Sequence, residues 1–201
     1  GAAARLPEDN GCVERKVIVV TDYSVDPLDT AVINDLFLTN GIDRSNFRYT
    51  GYSDDSLQTQ FPPYAKVDYK TVRIDQFTNG LPILYGGELV FSFKNGIFDQ
   101  QFYSPSQGTS LDTIPQLTAG QVRKLFIDDL KKREYNGDQY KDSCVTAEFG
   151  YYDVNAGMAN AQEKLVKVWR LTPKSIYFPS VWPQAFYQDK DGQLLSWFLS
   201  Y

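Results

Sequence analysis

Residues 69–102, YKTVRIDQFTNGLPILYGGELVFSFKNGIFDQQF, read as three antiparallel strands in succession. Val72, Ile74 and Gln76 alternate with Thr71, Arg73 and Asp75, the period-2 pattern of a half-buried strand. Asn79-Gly80 then supplies two residues that tolerate positive φ, so a hairpin is expected there. Leu89, Phe91 and Phe93 fall on one face of the next strand, with Glu88, Val90, Ser92 and Lys94 on the other. Asn95-Gly96 turns the chain again, into Ile97–Phe102, and the whole stretch forms a meander.

N-terminal to it, residues 1–14 open with a small, polar, aperiodic run that reads as a flexible tail. That composition suits the spacer of an exported lipoprotein. Val17–Val20 reads as a buried strand, and Asp26-Pro27 caps a helix predicted over Pro27–Thr39, stopped by Asn40-Gly41. A short strand is expected at Phe47–Tyr52, and Ser53–Tyr64 reads as an acidic, proline-containing loop. Adjacent carboxylates such as Asp54 and Asp55 on a polar loop are usually solvated, so no metal site is assigned to them.

C-terminal to the meander, residues 104–116 (SPSQGTSLDTIPQ) have the composition of a linker. Thr118 and Gln121 then form a capping box, and Val122, Leu125, Phe126 and Leu130 share one face of a helix whose end carries Lys131, Lys132 and Arg133. Strands are predicted at Val145–Tyr152, Lys164–Leu171, Gln184–Gln188 and Leu194–Phe198, the last two joined by a turn at Asp191-Gly192. Asp189-Lys190-Asp191-Gly192 begins like a calcium loop but lacks the third oxygen ligand and the closing glutamate.

Composition narrows the functions available. The 201 residues carry 20 basic and 25 acidic side chains, and a net charge of −5 argues against a nucleic-acid partner. The longest apolar run is far too short to span a membrane as a helix. With 0 His, neither a Ser-His-Asp triad nor a His-based zinc site can be built. Cys12 and Cys144 are the only thiols, leaving either a disulfide between them, in an oxidising compartment, or two free thiols. General acid–base work would fall to Glu88, Asp128, Asp129, Glu148 or Asp153, and no catalytic residue or cofactor is assigned.

Asp75–Ile83 (DQFTNGLPI) followed by Gly86-Gly87-Glu88-Leu89-Val90 resembles the FTP motif of fungalysin and thermolysin propeptides. Asn79, Gly80, Pro82, Gly86, Gly87 and Glu88 carry that resemblance, while Thr71 stands where the family often has a histidine. The second half resembles the PepSY domain through the helix at Val122–Lys132, Trp169 in its strand, Asp189 and Gly192 at the turn, and the final aliphatic strand. The pair of resemblances implies an α+β fold of two cystatin-like halves, each a helix packed on an antiparallel meander: an FTP-like module over 15–103, a linker over 104–116 and a PepSY-like module over 117–201. It also implies a binding role rather than catalysis. The expectation is a non-enzymatic, exported, protein-binding module in the periplasm or cell envelope, free-standing or lipid-anchored, that inhibits or chaperones a secreted peptidase. The alternative is an envelope lipoprotein that binds glycans or peptides through Tyr151, Tyr152, Tyr177, Phe178 and Trp182, which lie beside turn residues.

Overall fold

The computed structural model describes residues 13–15, 35, 38–39, 46–133, 145–173 and 182–200. The chain divides into two compact units: residues 1–18, 111–152 and 165–201 form the first, and residues 19–110 and 153–164 the second. Predicted elements at Val17–Val20 and over most of Pro27–Thr39 lie outside the described residues, although Asp35, Leu38 and Thr39 are helical.

The second unit holds β2 (Phe47–Gln58), β3 (Lys66–Thr78), β4 (Leu81–Tyr85), β5 (Glu88–Lys94) and β6 (Ile97–Phe102). Strand β3 is central: β2 pairs with one side of it and β5 with the other, and β6 continues outward from β5. Asn79 and Gly80 (φ 51° and 76°) and Asn95 and Gly96 (φ 50° and 77°) adopt the paired left-handed conformations of type I′ turns, as the dipeptides predict. Strand β2 runs six residues past the expected short strand, because Asp54 and Asp55 lie opposite Lys70 and Tyr69. A cationic neighbour across the ladder makes an acidic stretch tolerable in a strand. The core of this unit is a cluster of Val72, Ile74, Leu89, Phe91 and Phe93, with Phe47 and Tyr52 packed against it.

The first unit holds β1 (Val13–Arg15), helix α1 (Ala119–Lys132), β7 (Val145–Asp153, whose last residue belongs to the second unit), β8 (Leu165–Pro173), β9 (Trp182–Gln188) and β10 (Leu194–Ser200). The sheet order is β10-β9-β8-β7, with β1 parallel to β7. That pairing takes Val13 and Glu14 out of the expected tail. The capping box forms as the sequence specifies: Thr118 accepts from the Gln121 amide, and the Gln121 side chain accepts from Thr118 N–H. Val122, Phe126 and Leu130 are the helix's buried stripe, at i, i+4 and i+8. Phe126 meets Trp197 of β10 with ring centroids 5.6 Å apart.

The α+β expectation of two cystatin-like halves is overturned. Ten strands and one bounded helix make the described residues predominantly β, in mixed pairing since β1 runs parallel to its neighbour. The reason lies in how the cores are filled. Among the described residues, the buried cluster of the second unit is assembled from β2, β3 and β5 side chains alone, with no helix supplying a face.

Candidate functional site

The residues that carry the FTP and PepSY resemblances turn out to hold local geometry. Asn79 donates its side-chain N–H to Thr109 O at 2.9 Å, and Pro82 is buried opposite Phe77 in the β3–β4 hairpin. Gly86 sits at φ 80°, where an added Cβ would lie 2.8 Å from the Cβ atoms of Asp153 and Ala156. At Gly87 an added Cβ would meet Ile83 O at 2.6 Å, so both glycines are required by close approach. Glu88 is exposed and ion-paired with Arg73.

In the first unit, Trp169, Asp189 and the approach to α1 come together. Asp189 is 0% exposed, and its carboxylate accepts from the Gln116 amide (2.8 Å), the Leu117 amide (3.0 Å) and Trp169 Nε1–H (3.0 Å). Lys167 Nζ lies 3.7 Å away and donates to Asp112 Oδ1 at 2.8 Å and Ile114 O at 2.7 Å. Bonding to Lys167 holds the exposed Asp112 carboxyl below the usual carboxylate range. Gly192 (φ 72°) closes the β9–β10 turn beside Leu125. A buried carboxylate thus satisfies backbone donors just ahead of a helix, which is a structural task.

The aromatic set proposed for ligands is dispersed. Tyr151 is fully buried, its hydroxyl donating to Leu111 O or Asp112 O, and Tyr152 is buried edge-on against Phe186. Neither ring faces solvent. Tyr177 and Phe178 lie outside the described residues, as do Cys12 and Cys144, and of Trp182 only the backbone, in β9, is described. Of the carboxylates considered for acid–base work, Glu148 pairs with Arg170, and Asp129 accepts from Tyr187 Oη–H at 2.9 Å. Asp153 accepts from the Asn155 and Lys164 amides, and Asp128 is exposed on α1. Among the described residues no three His, Cys, Asp or Glu side chains gather as metal ligands, and no helix is long and apolar enough to cross a membrane.

Among the described residues, β6 does face outward. All six of its residues are exposed, and no described strand pairs with its outer edge. The Asn95-Gly96 turn is locked to β3, since Asn95 N–H donates to Asp68 O at 2.8 Å and Asn95 Oδ1 accepts from Asp68 N–H at 3.0 Å. In a two-residue hairpin the flanking pair, Lys94 and Ile97, exchanges both backbone bonds, so the next pair, Phe93 and Phe98, does not. Phe98 N–H and C=O therefore point away from β5. Asp99 is the extra residue of a bulge and is neutralised by Lys94 at 3.1 Å; the bond to Asp99 pushes the Lys94 ammonium pKa up. Ile97 is 73% exposed and Tyr103 is 70% exposed, with Phe98 and Phe102 between them half-open to solvent. Tyr103 ends the strand at φ 68°, an unusual conformation for an aromatic residue. These side chains were legible as a strand but not as an edge, because exposure depends on which strand comes last.

A cleft of about 370 Å³ lies in the same unit, lined by Phe47, Phe77, Thr78, Pro105 and Gln107 among others. Its floor residue Gln76 is spent on structure, donating to Gly87 O and accepting from the Ser106 amide. No protein-family model matches the chain, and no curated protein matches it.

Proposed function

We propose that the chain is a non-enzymatic protein-binding module that works outside the cytoplasm as an inhibitor or chaperone of a separately encoded peptidase, pairing the outer edge of β6 with an extended segment of that partner. The exposure of β6 at the end of its sheet is the observation that carries the reading. Natural sheets blunt their edges with charge, proline or bulges. Here the bulge at Asp99 is present, but the strand has no proline and its one charge is cancelled by Lys94. Main-chain groups at such an edge supply affinity, and side chains such as Ile97, Phe98 and Phe102 supply selectivity.

The test uses the full chain as bait on the envelope fraction, followed by titration of any retained peptidase. Activity should fall to a plateau as the chain is added, or its refolding yield should rise. F98P removes an outward N–H and should weaken both effects; because Phe98 also packs edge-on against Phe93, I97K, at an exposed site, is the companion variant. A retained peptidase whose activity and refolding are both indifferent to the chain would overturn the reading.

A further inference from the structure

Tyr69 is the last β3 residue that β5 pairs and Asp68 is bonded to Asn95 of the turn; past them the β2–β3 ladder continues as an arm to Gln58 and Lys66. Residues 53–58 of β2 are exposed at every successive position, so both faces of this strand stand in solvent, while Val67–Lys70 of β3 opposite are half-buried. The arm's tip, Thr59–Ala65 (TQFPPYA), is held from within. Thr59 N–H donates to Ala65 O at 3.0 Å, the Ala65 amide donates back to Thr59 Oγ1 at 3.0 Å, and the Thr59 hydroxyl reaches Pro63 O at 3.2 Å. Pro62 and Pro63 fix two further φ angles.

That order is used to hold apolar groups in water. Phe61 is 76% exposed, Tyr64 is 64% exposed and Leu57 is also exposed. Rigid aromatic side chains on a pre-ordered loop lose little entropy when they fill a pocket, and such residues dominate binding energy where they are found. Behind the tip the arm is acidic. Asp54, Asp55 and Asp68 stand against Lys66 and Lys70, a net charge of −1, with Lys70 Nζ 4.0 Å from both Asp54 and Asp68. That balance, with Asp54 and Asp55 adjacent, favours a protein pocket rimmed by Lys or Arg over an anionic lipid surface.

We infer that the β2–β3 arm is a docking finger that inserts Phe61 and Tyr64 into an apolar pocket, rimmed by basic side chains, on the partner protein. The inference rests on the protein-binding reading above and specifies the chemistry of the partner's surface. A second copy of the chain is disfavoured, since it would bring the same acidic arm and a net charge of −5.

The experiment places p-benzoylphenylalanine at position 61 in one full-length chain and at position 101, on β6, in another. Both are irradiated with the envelope fraction, and the crosslinked peptides are sequenced by mass spectrometry. The expected result is a crosslink from position 61 to one protein, within an apolar segment flanked by Lys or Arg. Affinity for that protein, once purified, should drop at least tenfold in F61A/Y64A and become less salt-dependent in D54N/D55N, with the melting temperature unchanged in the first variant. Crosslinks from position 101 without any from position 61 would overturn the finger and leave the β6 reading standing. Protein crosslinks from neither position would overturn both. Lipid crosslinks from position 61, with sedimentation on phosphatidylcholine–phosphatidylglycerol vesicles that F61A/Y64A abolishes, would overturn the finger in favour of a membrane contact.

Discussion

Replacing Asp189 by Asn changes the atom inventory at one buried point and almost nothing of its shape. One oxygen of the native carboxylate accepts from Leu117 N–H and Trp169 Nε1–H, and the other accepts from Gln116 N–H and faces Lys167. An amide keeps one oxygen and turns an NH₂ group toward the other set, where every neighbour is also a donor. The loss is at least one charge-assisted bond, each worth about 1.5–3 kcal/mol, together with the charge opposite Lys167. Breaking a buried pair by removing one partner costs about 3–5 kcal/mol, and Lys167 keeps its exposed contact with Asp112, so we expect about 3 kcal/mol for D189N. Trp169, Trp182 and Trp197, the 3 tryptophans of the chain, all belong to the first unit, so their fluorescence reports its unfolding alone. With a urea slope of about 2 kcal/mol/M, the midpoint should fall by about 1.5 M. D191N is the control: Asp191 is exposed, makes one short-range bond to the Gln193 amide, and should move the midpoint by less than about 0.5 M. A D189N midpoint within that same margin would refute the view that the buried carboxylate anchors the entry to α1.

Three further outcomes follow from the geometry. G86A should destabilise the second unit by about 3 kcal/mol, combining a left-handed φ with the 2.8 Å approach to Asp153 and Ala156, whereas G80A, also at positive φ but with open space around it, should cost about 1 kcal/mol; circular dichroism during urea unfolding compares them. Burial, and then the bond to Asp129, raise the Tyr187 phenol pKa well above its ordinary 10.0, so the unfolded chain ionises first and the stability held below pH 10.0 drains away as pH rises beyond it. Y187F should therefore cost about 1 kcal/mol at neutral pH and show a shallower decline than the native chain above pH 10.0 in urea titrations. On the arm, the hydrogen bond and charge of Asp54 raise the Asp68 carboxyl above 3.8, so its contribution to stability is held at low pH and lost as it ionises; D54N should bring the Asp68 titration down, followed by carboxyl-carbon NMR.

Local signals in this sequence were legible to the residue. Asn-Gly pairs gave the two turns, Thr118 and Gln121 gave the helix start, and the aromatic alternation of Leu89–Phe93 gave a strand. Pairing between distant segments was not. Nothing in the period of Val13–Arg15 announces a parallel partner at Val145–Ala147, and Asp54-Asp55 look like loop residues until Lys70 is placed opposite. Exposure was hidden for the same reason: β6 has a sequence as apolar as a central strand, and only its terminal place in the sheet leaves Ile97 and Phe102 in water. The Pro-containing loop at Phe61–Tyr64 was visible by composition, but the hydrogen bonds by which Thr59 closes it and the exposure of its rings were not.

The motif residues and the outward-facing residues are different sets, and that difference limits what a resemblance can carry. Asn79 and Gly86 shape turns, Gly87 yields to Ile83, and Trp169 and Asp189 meet in the core, so each is used up by local geometry. A resemblance composed of such residues rests on turns and buried contacts that different folds can share, so it does not specify how many helices lie on how many sheets, and the expectation of two helix-on-sheet halves built on it failed. By the same logic it does not specify a partner. Specificity has to come from groups with unspent contact area, and among the described residues two clusters of these sit on β6 and at the tip of the β2–β3 arm, in stretches that no motif covers. If the chain binds a protein, substitutions at Ile97, Phe61 and Tyr64 should change which protein it binds while leaving its unfolding midpoint alone, and substitutions at Trp169 or Asp189 should do the reverse.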